Sequence, residues 1–158
     1  MIGTGLGNHT LVVNSTGTAY SWGYNLNGQL GNGGSGSSLL TPGPVFNFTA
    51  SSSLYGKTVT MVAMGELHSI ALASDGSVHT FGKNQSGQLG NGTSDFSSVY
   101  PVAVSTTASS SLNGLTVTKV ASGGNHCIVI ASNGKVHTWG DNEYGKLGNY
   151  DATYTDRN

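Results

Sequence analysis

The chain repeats itself, and that repeat limits its possible folds more than any other feature. Residues 7–33 read GNHTLVVNSTGTAYSWGYNLNGQLGNG, residues 66–92 ELHSIALASDGSVHTFGKNQSGQLGNG, and residues 124–150 GNHCIVIASNGKVHTWGDNEYGKLGNY. His9, His68 and His126 stand 59 and 58 residues apart, and Gly28, Gly87 and Gly145 repeat those two intervals, so the copies align without internal gaps. The connectors match as well, ASSSLYGKTVTMVAMG over 50–65 against ASSSLNGLTVTKVASG over 108–123. Such a chain is one repeat domain over 1–158 with units at about 1–49, 50–107 and 108–158, the first lacking its leading connector.

Each unit reads as β-structure. An apolar run follows the histidine, SIALA or CIVIA, and leads into Asp75-Gly76 or Asn133-Gly134, dipeptides suited to a type I′ hairpin turn. The return strand alternates, with His79 and Phe81 on one face and Val78 and Thr80 on the other. In the connector, Val59, Met61 and Ala63 alternate in the same way, and Pro44-Val45-Phe46 opens a further extended segment. Nothing shows a capped 3.6-residue period. Four short strands per unit, parted by Gly-, Ser- and Pro-rich turns, predict an all-β fold of propeller-type blades with four antiparallel strands each.

The residues Gly-x-x-His, then x-Val-x-x-Trp-Gly-x-Asn-x-x-Gly-Gln-Leu-Gly, resemble the regulator of chromosome condensation repeat family. The motif stands as Trp22-Gly23-Tyr24-Asn25 with Gly28-Gln29-Leu30-Gly31, as Phe81-Gly82-Lys83-Asn84 with Gly87-Gln88-Leu89-Gly90, and as Trp139-Gly140-Asp141-Asn142 with Gly145-Lys146-Leu147-Gly148. The resemblance covers essentially the whole chain and implies a β-propeller, usually seven-bladed. Seven units of this period need about 400 residues, so this chain supplies a partial arc of about three blades. Leu6 departs from the pattern of Gly65 and Gly123, Phe81 replaces the Trp, and Lys146 replaces the Gln. The family includes a nuclear member that promotes nucleotide exchange on a small GTPase while binding chromatin. This chain lacks a basic tail, which argues against that activity here.

Histidine is the commonest metal ligand, but His9, His68 and His126 fall at equivalent points of successive blades and do not converge. They are expected to make blade-to-blade hydrogen bonds to neighbouring backbone, and no metal or cofactor is expected. His79 and His137 fill the slot of Tyr20, which points to packing. Trp22, Phe81 and Trp139 lie two residues further along and are expected to fill the space between blades, as large aromatics do. The Gly-rich loops lack the following Lys-Ser or Lys-Thr of a phosphate loop. Asp141 and Glu143 are the only close acidic pair outside the C-terminal tail, too few for a calcium or glycosidase site. Cys127 follows His126 directly, so on a strand the two point to opposite faces and form no nucleophile–base pair. No catalytic residue emerges, and the expected role is that of a non-catalytic structural or interaction protein.

Charge limits the partners. Six Lys and Arg against seven Asp and Glu, scattered along 158 residues, make no patch for nucleic acid. No stretch of 18 apolar residues exists to span a membrane. One cysteine excludes an intramolecular disulfide framework, and MIGTGLGNHT has neither the basic segment nor the apolar run of a signal peptide. Sequons at Asn14, Asn47 and Asn91 fall in a hairpin turn, a connector and a loop, where a sugar could project. With the low charge they lead to the expectation of an extracellular or surface assembly component. The alternative is a fragment of an intracellular seven-bladed scaffold that binds a protein. Blades without polar caps associate through their end faces, so the expected partners are further blades of a longer chain or other copies of this one.

Overall fold

The computed structural model describes residues 1–149 apart from Thr4, Phe48 and Ser94. Asp151 and Asp156, two of the seven acidic residues, lie outside the described residues. Ten strands and one 3₁₀ turn over Glu143–Gly145 make up the regular structure of the described residues. The first sheet is β1 (His9–Val13), β2 (Ala19–Gly23) and β3 (Leu39–Pro44), in that order. The second is β4 (Val59–Met64), β5 (His68–Ala73), β6 (Val78–Lys83) and β7 (Ser97–Ala103). The third is β8 (Val117–Ser122), β9 (His126–Ala131) and β10 (Val136–Gly140). All neighbours are antiparallel. The fold is all-β and blade-like, and the second sheet shows the four strands expected of a blade. In the first, Ile2 bridges Val12 on the side that β4 occupies in the second.

Three local expectations need correction. The hairpin at Asp75-Gly76 is not a type I′ turn, because Asp75 does not have the positive φ it would need. Gly76 N–H donates to Ala73 O at 3.0 Å and Ala73 N–H to Ser77 O at 2.9 Å, so the loop is one residue longer, with only Gly76 left-handed at φ 80°. The Asp75 carboxylate accepts from both the N–H and the hydroxyl of Ser77, which fixes this turn without a second left-handed residue. Alternation in the connector strand is also broken. A register shift between Val59 and Met61 puts Val59 on the face of Val62 and Met64, while Met61 stays with Ala63. Finally, the extended segment expected from Pro44 lies earlier, as β3, and Val45 beyond it turns inward and is buried.

The core lies between blades. Leu11, Val13 and Ala19 of the first blade meet Val59, Val62, Ala71 and Phe81 of the second in one apolar cluster. Ile70, Leu72 and Val78 of the second meet Val117, Val120, Val129 and Trp139 of the third in the other. Position for position these are the same seam built twice, and Leu54 and Leu112 of the connectors close its outer margin.

The seam needs glycine where the aromatic ring lands. A Cβ on Gly31 would lie 2.6 Å from the Phe81 ring, and one on Gly90 2.6 Å from the Trp139 indole nitrogen. Gly148, at the same point of the third unit, has nothing within 4 Å among the described residues. Gly90→Ala therefore combines left-handed strain with a clash and is expected to cost about 3 kcal/mol, against about 1 kcal/mol for Gly148→Ala, which meets the strain alone. Urea unfolding of the two variants checks this difference.

Candidate functional site

Each seam carries a polar tie beside its apolar filling. His9 Nε2 and Ser69 Oγ are 2.8 Å apart across the first seam, and Ser69 Oγ donates back to Gln29 O at 2.8 Å. The serine's one proton is thus committed to the carbonyl, so the imidazole donates from Nε2. Across the second seam, His68 Nε2 reaches Ser122 Oγ at 2.9 Å and Cys127 Sγ at 3.3 Å, and the thiol lies 3.4 Å from Gln88 O. The histidines were expected to bond backbone. The partners are side chains of the next blade instead, Ser69 at the start of β5 for His9, and Ser122 at the end of β8 with Cys127 at the start of β9 for His68. Trp139 is buried against the second blade and donates from Nε1 to Gln88 O at 3.0 Å. Phe81 is fully buried in the equivalent place, while Trp22 is half-buried on the first blade.

The motif loops are stapled to the strands before them. Asn25, Asn84 and Asn142 accept at Oδ1 from the N–H of Leu30, Leu89 and Leu147 at 3.1, 2.9 and 3.1 Å. Ser21, Thr80 and Thr138 donate to the carbonyls of those same leucines at 2.7, 2.6 and 2.8 Å. These hydroxyls were missed in the sequence, although a Ser or Thr precedes the aromatic residue in every copy. Gln29 and Gln88 complete the loop by accepting the N–H of Asn27 and Ser86. Lys146 cannot accept in this way. Its ammonium pairs with Asp141 at 2.6 Å, and Tyr144 adopts φ 64°. The strained loop is the one that departs from the motif.

A Ser–His arrangement in the second blade resembles catalytic machinery. Ser53 Oγ lies 2.6 Å from His79 Nδ1, Ser77 Oγ lies 2.8 Å from His79 Nε2, and Ser77 donates to Asp75. Asp75 also pairs with Lys57, whose ammonium holds the carboxyl well below the usual range. The third blade repeats the tie as Ser111 Oγ to His137 Nδ1 at 2.8 Å, with Asn133 and Lys135 where Asp75 and Ser77 stand. A proton relay would not survive that replacement, whereas a latch between connector and strand does. Burial pushes the Cys127 thiol up to about 12, which leaves it unreactive. Among the described residues, no group of three or more His, Cys, Asp and Glu is placed to hold a metal.

The sequon asparagines have turn roles. Asn14 Oδ1 accepts from Thr16 N–H, Thr16 Oγ1 and Thr18 N–H, and Asn91 Oδ1 from Thr93 N–H and Oγ1. An Asn bonding the residue two further on is ordinary turn chemistry and produces Asn-x-Thr without any sugar. Asn47 is half-buried beyond β3. At the other end of each blade from the hairpin turns, the loops 24–38, 84–96 and 141–149 expose Leu26, Phe96 and Tyr144.

Family models of the Regulator of chromosome condensation (RCC1) repeat match residues 16–72 and 75–130 in one form, and 2–29, 59–88 and 117–146 in another. The chain belongs to this family. The longer form straddles a seam, from the hairpin turn of one blade to the first hairpin strand of the next. Similar proteins include the Ultraviolet-B receptor UVR8 of Arabidopsis thaliana, 34% identical over 92% of this chain and 30% of its own length. Protein RCC2 homolog of Xenopus laevis is 35% identical over 94% of this chain and 27% of its own length. Among solved structures, human WBSCR16 matches with a TM-score of 0.76 and 25% identity over 89% of this chain and 32% of that one. Prp20p of Saccharomyces cerevisiae matches at 0.79 and 22%, over 99% and 36%. The chain thus spans less than a third of these two RCC1-repeat relatives' lengths and about a third of these solved chains. The comparisons give no support to an extracellular place or to sugars on Asn14, Asn47 or Asn91. They favour the second expectation, a portion of a larger protein-binding scaffold. No helix among the described residues is long and apolar enough to cross a membrane.

Two stability effects follow from the seams. Gln88 Nε2 donates to Asn125 Oδ1 across the second seam at 3.3 Å, whereas Gln29 Nε2 is buried without a partner because Leu67 stands at the equivalent of Asn125. Leu67→Asn is expected to stabilise by about 1 kcal/mol by supplying the acceptor, read as a rise in urea midpoint. Burial lowers His9 to about 4, His68 to about 3 and His79 to about 4, from 6.5. His9 and His68 have no acceptor at Nδ1 for a second proton. Above pH 6.5 the folded and unfolded states are equally neutral at these sites. Below it the unfolded chain takes up protons that the folded one refuses, so each histidine removes about 1.4 kcal/mol per pH unit until its folded value is reached. Urea midpoints are expected to fall steeply from pH 6.5 towards pH 4, and His68→Gln should flatten that fall.

Proposed function

We propose that this chain is part of an intracellular, non-catalytic protein-binding propeller, with units 1–49, 50–107 and 108–158 as its blades and the loop end as its contact surface. The observation that carries this reading is the contrast within the loops. Their backbones are pinned at both the N–H and the C=O of Leu30, Leu89 and Leu147, yet they expose Leu26, Phe96 and Tyr144. Rigid loops that show large apolar side chains lose little entropy on binding. Exposed carboxylates at Glu66, Asp95 and Glu143 stand at the same end, with Lys83 as the one lysine there outside an ion pair, so a partner with a basic surface is favoured. Prp20p, whose fold this chain shares, is described with its binding to Gsp1p and histones, a precedent for protein partners on such a scaffold.

Amine-reactive cross-linking in cells tests the surface directly. Lys83 and Lys146 mark the loop end, and Lys57 and Lys135 the hairpin-turn end. Cross-links to other proteins are expected at Lys83 and Lys146, and they should weaken in the triple variant Leu26→Ser, Phe96→Ser, Tyr144→Ser. Cross-links confined to Lys57 and Lys135, or unchanged in the variant, would overturn the assignment.

A further inference from the structure

Five Asn-Gly pairs stand in the chain, at 27–28, 32–33, 91–92, 113–114 and 133–134. An asparagine before glycine carries its own reaction. The glycine amide nitrogen attacks the asparagine Cγ, and a glycine has no side chain to shield that approach. Two conditions govern the step in a folded chain. The glycine N–H must be free to give up its proton, and the asparagine amide must be free to swing onto the nitrogen.

Four of the five pairs fail one condition or both. Gly28 N–H donates to Asn25 O at 3.2 Å, Gly33 N–H to Val99 O at 3.0 Å and Gly134 N–H to Ala131 O at 2.9 Å. At the fourth pair the asparagine is held, Asn91 Oδ1 accepting from Thr93 N–H and Oγ1. Asn32 and Asn133 are pinned in the same way, by Gly34 N–H and Lys135 N–H.

Asn113-Gly114 meets both conditions. It is the centre of a turn in the connector between β7 and β8, closed by Leu115 N–H to Leu112 O at 3.0 Å. Such a turn bonds through the peptides outside its central pair, so the Asn113–Gly114 peptide points its N–H away. Among the described residues neither Gly114 N–H nor the Asn113 side-chain amide has a hydrogen-bond partner. Both residues are exposed, and a Cβ on Gly114 would meet nothing within 4 Å. The first connector shows that a finished joint leaves this position open. There Lys57 N–H donates to Leu54 O at 3.0 Å around Tyr55-Gly56, and Tyr55 is 58% exposed although the blades before and after it are in place.

We propose that Asn113 is a site of spontaneous succinimide formation and conversion to isoaspartate. Gly114 N forms a bond to Asn113 Cγ, the amide C–N bond of the side chain breaks, and ammonia leaves with the proton from Gly114. Water then opens the ring at either carbonyl and gives an aspartyl or an isoaspartyl residue, with no oxidant or cofactor. The isoaspartyl form runs the main chain through the former side chain and lengthens the turn by a methylene. Leu112 and Leu115, on either side, pack in the second seam, so this product loosens the joint. The turn borders Asp75 and Gly76 at the hairpin-turn end, away from the loop surface.

Peptide mapping by mass spectrometry after ageing in mildly alkaline buffer tests the site. In the folded protein Asn113 is expected to convert about tenfold faster than the asparagine of any other Asn-Gly pair, because the others must first open locally. Labelling by an isoaspartyl carboxyl methyltransferase should fall on the same peptide. In guanidinium chloride the five rates should draw together, since protection by the fold is then lost. Another pair converting first in the folded protein, an unlabelled Asn113 peptide, or an unchanged ranking in denaturant would each overturn the proposal. The loosened joint has a measurement of its own. Protein aged until Asn113 is converted should unfold at lower urea than freshly prepared Asn113→Asp, which has the charge without the added methylene. Equal midpoints would overturn that step.

Discussion

An aromatic ring laid on a glycine of the preceding blade is the contact on which the rest of this structure depends. Trp139 over Gly90 and Phe81 over Gly31 bring two separate sheets to a distance at which their apolar faces touch. Burying one such ring is worth about 4 kcal/mol at the usual coefficient. The His–Ser and His–Cys ties beside it contribute about 1 kcal/mol each. The aromatic stack therefore outweighs the ties beside it. The ties act mainly on register, because a donor at Nε2 and a small acceptor can meet in only one alignment of the blades.

Most of the signature residues serve that contact. The glycine is presented by a loop whose leucine is held on both sides, by an asparagine at its N–H and by a strand hydroxyl at its C=O. The hydroxyl sits immediately before the aromatic residue of its own blade, so one β-strand holds its own loop and reaches for the loop of the previous blade. This explains why the longer family unit runs across a seam. The recurring unit of the chain is the joint, and the blade is what lies between two joints.

The fold class was legible because strand alternation and the 58–59-residue register survive in the sequence without gaps. The aromatic filling was legible at Phe81 and Trp139 for the same reason. The hairpin geometry was not, since Asp-Gly serves both a two-residue turn and the longer loop that Ser77 stabilises through Asp75. The bulge before Met61 was hidden because two consecutive residues share a face without changing the polarity of the run. The acceptors for His9 and His68 were hidden for another reason. Ser69 and Ser122 lie on strands whose position is fixed only by the seam, and a lone Ser in a chain this rich in Ser carries no signal. The sequons misled for a related reason, since Asn-x-Thr is also what an asparagine-capped turn looks like.

Where the charges lie separates the tasks of the different surfaces. Lys57, Asp75 and Lys135 stand at the hairpin-turn end, and Glu66, Lys83, Asp95, Asp141, Glu143 and Lys146 at the loop end, leaving Lys119 as the one charge of the described residues elsewhere. A charge on a blade face would have to be buried in a seam without a partner, at a cost of several kcal/mol, so a chain made of stacked faces keeps its charges to the two ends. The low total charge is thus a consequence of the architecture, and it does not indicate a compartment. Adhesion then belongs to the faces, while the loop end combines fixed backbone, apolar side chains and an acidic margin.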